Sequence, residues 1–132
     1  MSTQSKNASV VFVGTYTEFE GSESEGIYVY RMDLENGKLH KKAEVDVQPG
    51  AGPRHLTFHP NGQFAYLVNE LNSTLISYRD DTENGTFEEL QTVPALPQDF
   101  KDENLCGDIH ISTNGKYLYA SNRGYDSIVC FS

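Results

Sequence analysis

The feature that most limits what this chain can fold into is an internal repeat. NGQFAYLVNELNSTLISY, from Asn61 to Tyr78, aligns without a gap on NGKYLYASNRGYDSIVCF, from Asn114 to Phe131, at an offset of 53. A second match sets YRMDLENGKL, from Tyr30, on YRDDTENGTF, from Tyr78, at an offset of 48. Repeats near 50 residues are too long for most helical solenoids and suit a four-stranded propeller blade. Local pattern agrees. VVFVGTY, GIYVYRM, HLTF, FAYLV, TLISY, IHI, YLYAS and SIVCF are short runs rich in β-branched and aromatic residues, and no segment carries the 3.6 period of an amphipathic helix. Between them stand Asn-Gly steps at Asn36, Asn61, Asn84 and Asn114, which tolerate the positive φ of tight hairpins.

With blade strands labelled a to d from the centre outward, residues 53–97 read as a full blade. Residues 9–48 supply strands b to d, and 106–132 supply a to c. The expected fold is all-β, with antiparallel propeller blades, ten strands and about two and a half blades in an incomplete ring. Residues 1–8 are expected to form a disordered polar tail. Closed propellers need at least four blades, so strand edges are left to be covered or paired, and self-association through them is expected.

Antiparallel connectivity brings useful side chains to one rim. If strand a descends from Arg54 and His55 to the Pro60-Asn61-Gly62 turn, strand b returns and ends at Asn69 and Glu70. By the same count Asp108, Ile109 and His110 open the next strand a, and Asn122 and Arg123 close its strand b. The Asn-Gly turns fall on the opposite face.

Composition excludes other partners. A net charge of −9 with ten scattered Lys and Arg offers no phosphate-backbone footprint, so nucleic acid is not expected. MSTQSKNAS lacks the apolar centre of a secretory signal, and no run approaches a membrane span. A cytoplasmic protein with no membrane partner is expected. The two cysteines, Cys106 and Cys130, form no Cys-x-x-Cys pair. No cofactor or metal is expected either. His55 and His59 share a strand face but lie roughly 13 Å apart, beyond the reach of one ion. His59 is expected to cap its hairpin, and Glu18, Glu20, Glu23 and Glu25 to form a solvated loop.

GTYT with GIYVYRMD, GAGPRHLTFHPNGQFAYLVNE, and DIHISTNGKYLYASNRGYDSI together resemble the seven-bladed lactonase family typified by the propeller-type 6-phosphogluconolactonases. In that family further blades separate the GTYT blade from the GAGPRH blade, whereas here Val47 leads almost directly to Gly50. An internally shortened member that ends before the closing blades is therefore expected. The resemblance implies a metal-free rim site that hydrolyses a phosphorylated sugar lactone in the pentose phosphate pathway. A catalytically inactive propeller fragment is the alternative. Lactone hydrolysis needs a base for water, a donor for the oxyanion and cations for phosphate. The resemblance points to Arg54 and Glu70 as the reacting pair, with Glu70 the base, or His55 if Glu70 orients it. Arg123 is expected to hold the phosphate, with Asn69 and Asn122 as weak further substrate contacts and His110 as a substrate contact or a second acid or base.

Overall fold

The computed structural model describes residues 8–15, 26–81 and 86–132. The Glu83-Asn84-Gly85 turn, the acidic 18–25 stretch and nearly all of the N-terminal tail lie outside them. Among the described residues the chain forms ten strands in three antiparallel sheets, each sheet a simple meander. The first joins β1 (Ala8–Gly14), β2 (Gly26–Asp33) and β3 (Leu39–Asp46). The second joins β4 (Pro53–Phe58), β5 (Phe64–Asn69), β6 (Thr74–Asp81) and β7 (Thr86–Pro94). The third joins β8 (Cys106–Ile111), β9 (Leu118–Asn122) and β10 (Ser127–Phe131). No helix of the described residues is long and apolar enough to cross a membrane.

Irregularities in the ladders identify which strands are equivalent. Register shifts between Val29 and Tyr30 in the β2–β3 pair, and between Ser77 and Tyr78 in the β6–β7 pair, which are residues 48 apart. It shifts again between Pro53 and His55 in β4–β5 and between Cys106 and Ile109 in β8–β9, where Pro53 and Cys106 stand 53 apart. A bulge bends its strand and raises the local twist, so its recurrence at both offsets marks the same element in successive blades. β2 therefore corresponds to β6, and β8 to β4.

The hairpin chemistry repeats as well. The His59 N–H donates to the Phe64 carbonyl at 2.9 Å, and the Ser112 N–H to the Tyr117 carbonyl at 2.8 Å. Asn61 and Asn114 each turn a side-chain oxygen onto an N–H two residues ahead, at 3.0 Å in both cases. Gly62 and Gly115 follow them with φ of 70° and 73°, a conformation that strains any residue bearing a Cβ. His59 does cap its hairpin, since its Nδ1 accepts the Asn61 N–H at 3.1 Å. That leaves Nε2 as the protonated nitrogen of the neutral ring, and it donates to the Gly115 carbonyl at 3.1 Å. One histidine thus ties two successive blade turns together.

The sheets pack face to face, and the middle one is covered on both sides. Ala65 and Leu67 point from β5 into a cluster with Ile27 and Tyr78, while Val68 points the other way, toward Ile109 and Ala120. Alternate residues of a strand face opposite sides, so a strand buried on both faces needs an unbroken apolar run, which FAYLV supplies. Phe12 stacks on Phe87 at 5.0 Å, and Phe87 on Tyr78 at 5.3 Å, which seals the first junction. Burial of each large apolar side chain contributes about 1.5–3 kcal/mol.

Candidate active site

Pairing of β4 with β5 sets Pro53 opposite Asn69, and the Glu70 N–H closes the ladder on the Gly52 carbonyl at 2.7 Å. The entry to strand a and the exit from strand b therefore share one edge. Arg54 sits in the bulge, outside the ladder, and its side chain is freed to reach across the edge. Its Nη1 meets Glu70 Oε1 at 3.1 Å, and its Nε donates to the Gly107 carbonyl of the third sheet at 2.9 Å.

The third sheet repeats this construction with opposite charge. At the offset of 53, position 70 maps onto position 123, and the Arg123 N–H closes on the Leu105 carbonyl at 3.0 Å as Glu70 does on Gly52. Arg123 reaches back, so that its Nη2 contacts Glu70 Oε1 and also donates to the Cys106 carbonyl at 3.2 Å. The Cys106 N–H donates to the Glu70 carbonyl at 3.1 Å and stitches the two blades beneath the ion pairs. Two guanidiniums from successive blades thus converge on one carboxylate oxygen. The Glu70 side chain is only 7% exposed, against 34% for Arg54 and 48% for Arg123. Two guanidiniums held side by side suit an anionic ligand bound by charge-assisted hydrogen bonds.

His55 and His110 gather around a different group. Both rings are exposed; Asp108 Oδ2 is 2.9 Å from His110 Nε2, and His55 is close enough to act electrostatically on the same carboxylate. The Ile109 N–H, donating to Asp108 Oδ1 at 2.8 Å, is the main reason the carboxyl is held below its ordinary range, with His110 adding to it.

Asn69 and Asn122 are buried in their blades. Asn122 Nδ2 donates to the Ala95 carbonyl at 2.9 Å, and its Oδ1 accepts from Asn104 at 3.1 Å and from the Cys106 thiol at 3.3 Å. Asn69 Nδ2 donates to Thr74 Oγ1 at 3.0 Å, but its buried Oδ1 has no partner among the described residues. The repeat explains the difference. Asn104 and Cys106, the donors to Asn122, fall on Ala51 and Pro53, whose side chains have nothing to donate. The Cys106 thiol is pushed above its ordinary range by burial, which suppresses the reactive thiolate.

Sequence reasoning missed Asn104, and it placed Asp108 at the opening of its strand without giving it a role. Asn104 Oδ1 accepts the N–H groups of Gly124 and Tyr125 at 2.9 and 3.0 Å, while its Nδ2 donates to Ser73 Oγ at 2.9 Å. It clamps the turn after Arg123 to the turn after Glu70. Asn104 lies in the linker between repeats, so no periodicity marked it. Asp108 was legible as the residue two before His110 on one strand face. Among the described residues no group of three or more His, Cys, Asp or Glu is arranged to hold a metal ion.

Comparison with known proteins gives the fold and the rim a context. The family model described as lactonase, seven-bladed β-propeller, matches residues 21–132. A 6-phosphogluconolactonase of Bacillus subtilis is 36% identical over 126 residues, covering 88% of this chain and 36% of its own length. A solved structure from Lactobacillus plantarum superposes with a TM-score of 0.79 at 38% identity, over 83% of this chain and 32% of that one. The periplasmic gluconolactonase of Pseudomonas aeruginosa superposes at 0.74 and 34% identity, over 83% of this chain and 31% of that one. The chain therefore spans about a third of the length of the relatives it matches. With the matched model reaching through the second and third sheets and their shared charged rim, the chain belongs to the lactonase family of seven-bladed β-propellers.

Proposed function

We propose that the rim built by Arg54, Glu70 and Arg123 is part of a lactonase site, and that it acts on a phosphorylated sugar lactone of the 6-phosphogluconolactone kind. The observation that carries this reading is the convergence of two guanidiniums from adjacent blades on Glu70. The Bacillus subtilis relative bears the name of that activity. Glu70 holds both cations side by side. Arg54, fixed by its second bond to Gly107, stabilises the oxyanion that forms when water attacks the lactone carbonyl. Arg123, the more exposed of the two, takes the phosphate. Glu70 serves to hold the two guanidiniums, and the proton of the attacking water goes to an imidazole on the inner strands.

Rates on 6-phosphogluconolactone, corrected for spontaneous hydrolysis, test this reading. Arg123→Gln is expected to raise KM about tenfold, the loss of one charge-assisted contact, with a smaller change in kcat. An unchanged KM would remove Arg123 from phosphate binding.

A second observation bears on assembly. The face of the third sheet turned away from the core exposes Tyr117, Tyr119 and Ile128, the last at 70%. Apolar groups grouped on one sheet face beside an unpaired edge favour self-association. Light scattering is expected to give a mass above that of the monomer, and Ile128→Lys to shift it toward the monomer. A single sharp monomer with a cooperative melt would contradict this.

A further inference from the structure

Asp108 is more constrained than an exposed aspartate needs to be. Its Oδ1 accepts the Ile109 N–H at 2.8 Å, its own N–H donates to Ser121 Oγ at 2.9 Å, and its Oδ2 lies 2.9 Å from His110 Nε2. The two side chains are 57% and 76% exposed, and exposed ion pairs contribute at most about 1 kcal/mol. Stability does not account for the arrangement. Nor does blade construction, because at the offset of 53 the residues Asp108 and His110 fall on His55 and Thr57. The pair belongs to the third blade alone.

The chemistry of the pair is directional. An ionised carboxylate only accepts hydrogen bonds, so His110 Nε2 carries the hydrogen and Nδ1 of the neutral ring keeps its lone pair. One ring nitrogen's partner thus sets the state of the other. Asp108 follows Gly107, whose carbonyl fixes Arg54, and His110 stands roughly 10 Å along the strand from Gly107. The imidazole and the guanidinium therefore border one stretch of inner strand.

We propose that Asp108 is a positioning residue that holds His110 in the Nε2–H tautomer, with Nδ1 open as the general base of the site. The substrate assignment rests on the lactonase reading; the tautomer does not. The attacking water gives a proton to Nδ1 as its oxygen bonds to the carbonyl carbon, and the carbonyl electron pair moves onto the oxygen beside Arg54. Collapse re-forms the C=O bond and breaks the ring C–O bond. The departing ring oxygen takes the proton back from the imidazolium, so one water is added in total.

Long-range 1H–15N correlation spectra of the full chain, recorded where the ring is neutral, test the positioning directly. The wild type is expected to show a protonated Nε2 and a bare Nδ1. Asp108→Asn retains an oxygen for the Ile109 N–H and turns an NH2 group toward Nε2, so the tautomer should reverse. On 6-phosphogluconolactone the same variant is expected to lose about a hundredfold in kcat, the scale of general-base catalysis, with KM little changed. A wild-type ring protonated at Nδ1, or averaging between tautomers, overturns the positioning role. Reversal of the tautomer with kcat intact overturns the base role. A wild type no faster than spontaneous hydrolysis refutes the lactonase reading and the base role with it, while the spectrum still decides the tautomer.

Discussion

Glu70→Gln is expected to lower stability by about 2–4 kcal/mol and lactone hydrolysis by about two orders of magnitude. The substitution is nearly isosteric, so packing is preserved and the charge is what changes. Arg54 and Arg123 would then face each other across a neutral amide, with the Glu70 position still buried. Breaking a fully buried pair costs about 3–5 kcal/mol; partial exposure of both arginines screens the repulsion and lowers that figure. Urea unfolding reads the first effect. Rates corrected for spontaneous hydrolysis read the second, because guanidiniums that repel one another no longer present a common surface to an anion. Glu70→Asp is expected to fall between the two, since it restores the charge without the reach. Wild-type stability in Glu70→Gln would mean that the two contacts contribute nothing to folding.

Gly124→Ala is expected to cost more than about 3 kcal/mol, among the largest effects of any single methyl group in the chain. A Cβ at position 124 would collide with the Glu103 carbonyl oxygen and meet Asn104 Cα at 2.8 Å. Both are backbone atoms, so no side chain can swing aside, and the turn itself must move off Asn104. That movement breaks the two N–H bonds that Asn104 accepts and draws Arg123 away from Glu70. Gly62→Ala is the control. Its Cβ would meet nothing within 4 Å, and only the φ of 70° opposes it, at a cost of about 1 kcal/mol. Measured side by side in urea, the two variants should differ by about 2 kcal/mol or more. Equal losses would show that the close approach of the turn to Glu103 is not what requires glycine at 124.

Much of this architecture could be read from the chain because a meander is local. The repeat fixes which strands correspond, the Asn-Gly steps fix where they turn, and antiparallel pairing fixes that Arg54 and Glu70 share an edge. Contacts between blades were less legible. Positions 70 and 123 are equivalent in the repeat and opposite in charge, yet their pairing depends on how one sheet stacks on the next, which no periodicity encodes. The bulge at Arg54 lies in the same category, since it leaves no residue-type signature in PRHLTF. Asn69 and Asn122 recur at equivalent places in the repeat, and a residue repeated in that way more often serves its own blade than a ligand; their side chains do turn into the blade. The load on Glu70 Oε1 was hidden, because the two arginines that share it come from different blades.

The pairing across the blade junction is tested most directly by a double-mutant cycle. Unfolding free energies of wild type, Glu70→Gln, Arg123→Gln and the double variant, measured in urea, give the coupling between the two side chains. A coupling of about 1–2 kcal/mol is expected, as for groups in direct charged contact. Losses that simply add would mean that Glu70 and Arg123 do not act on each other, and no site shared by the two blades would remain.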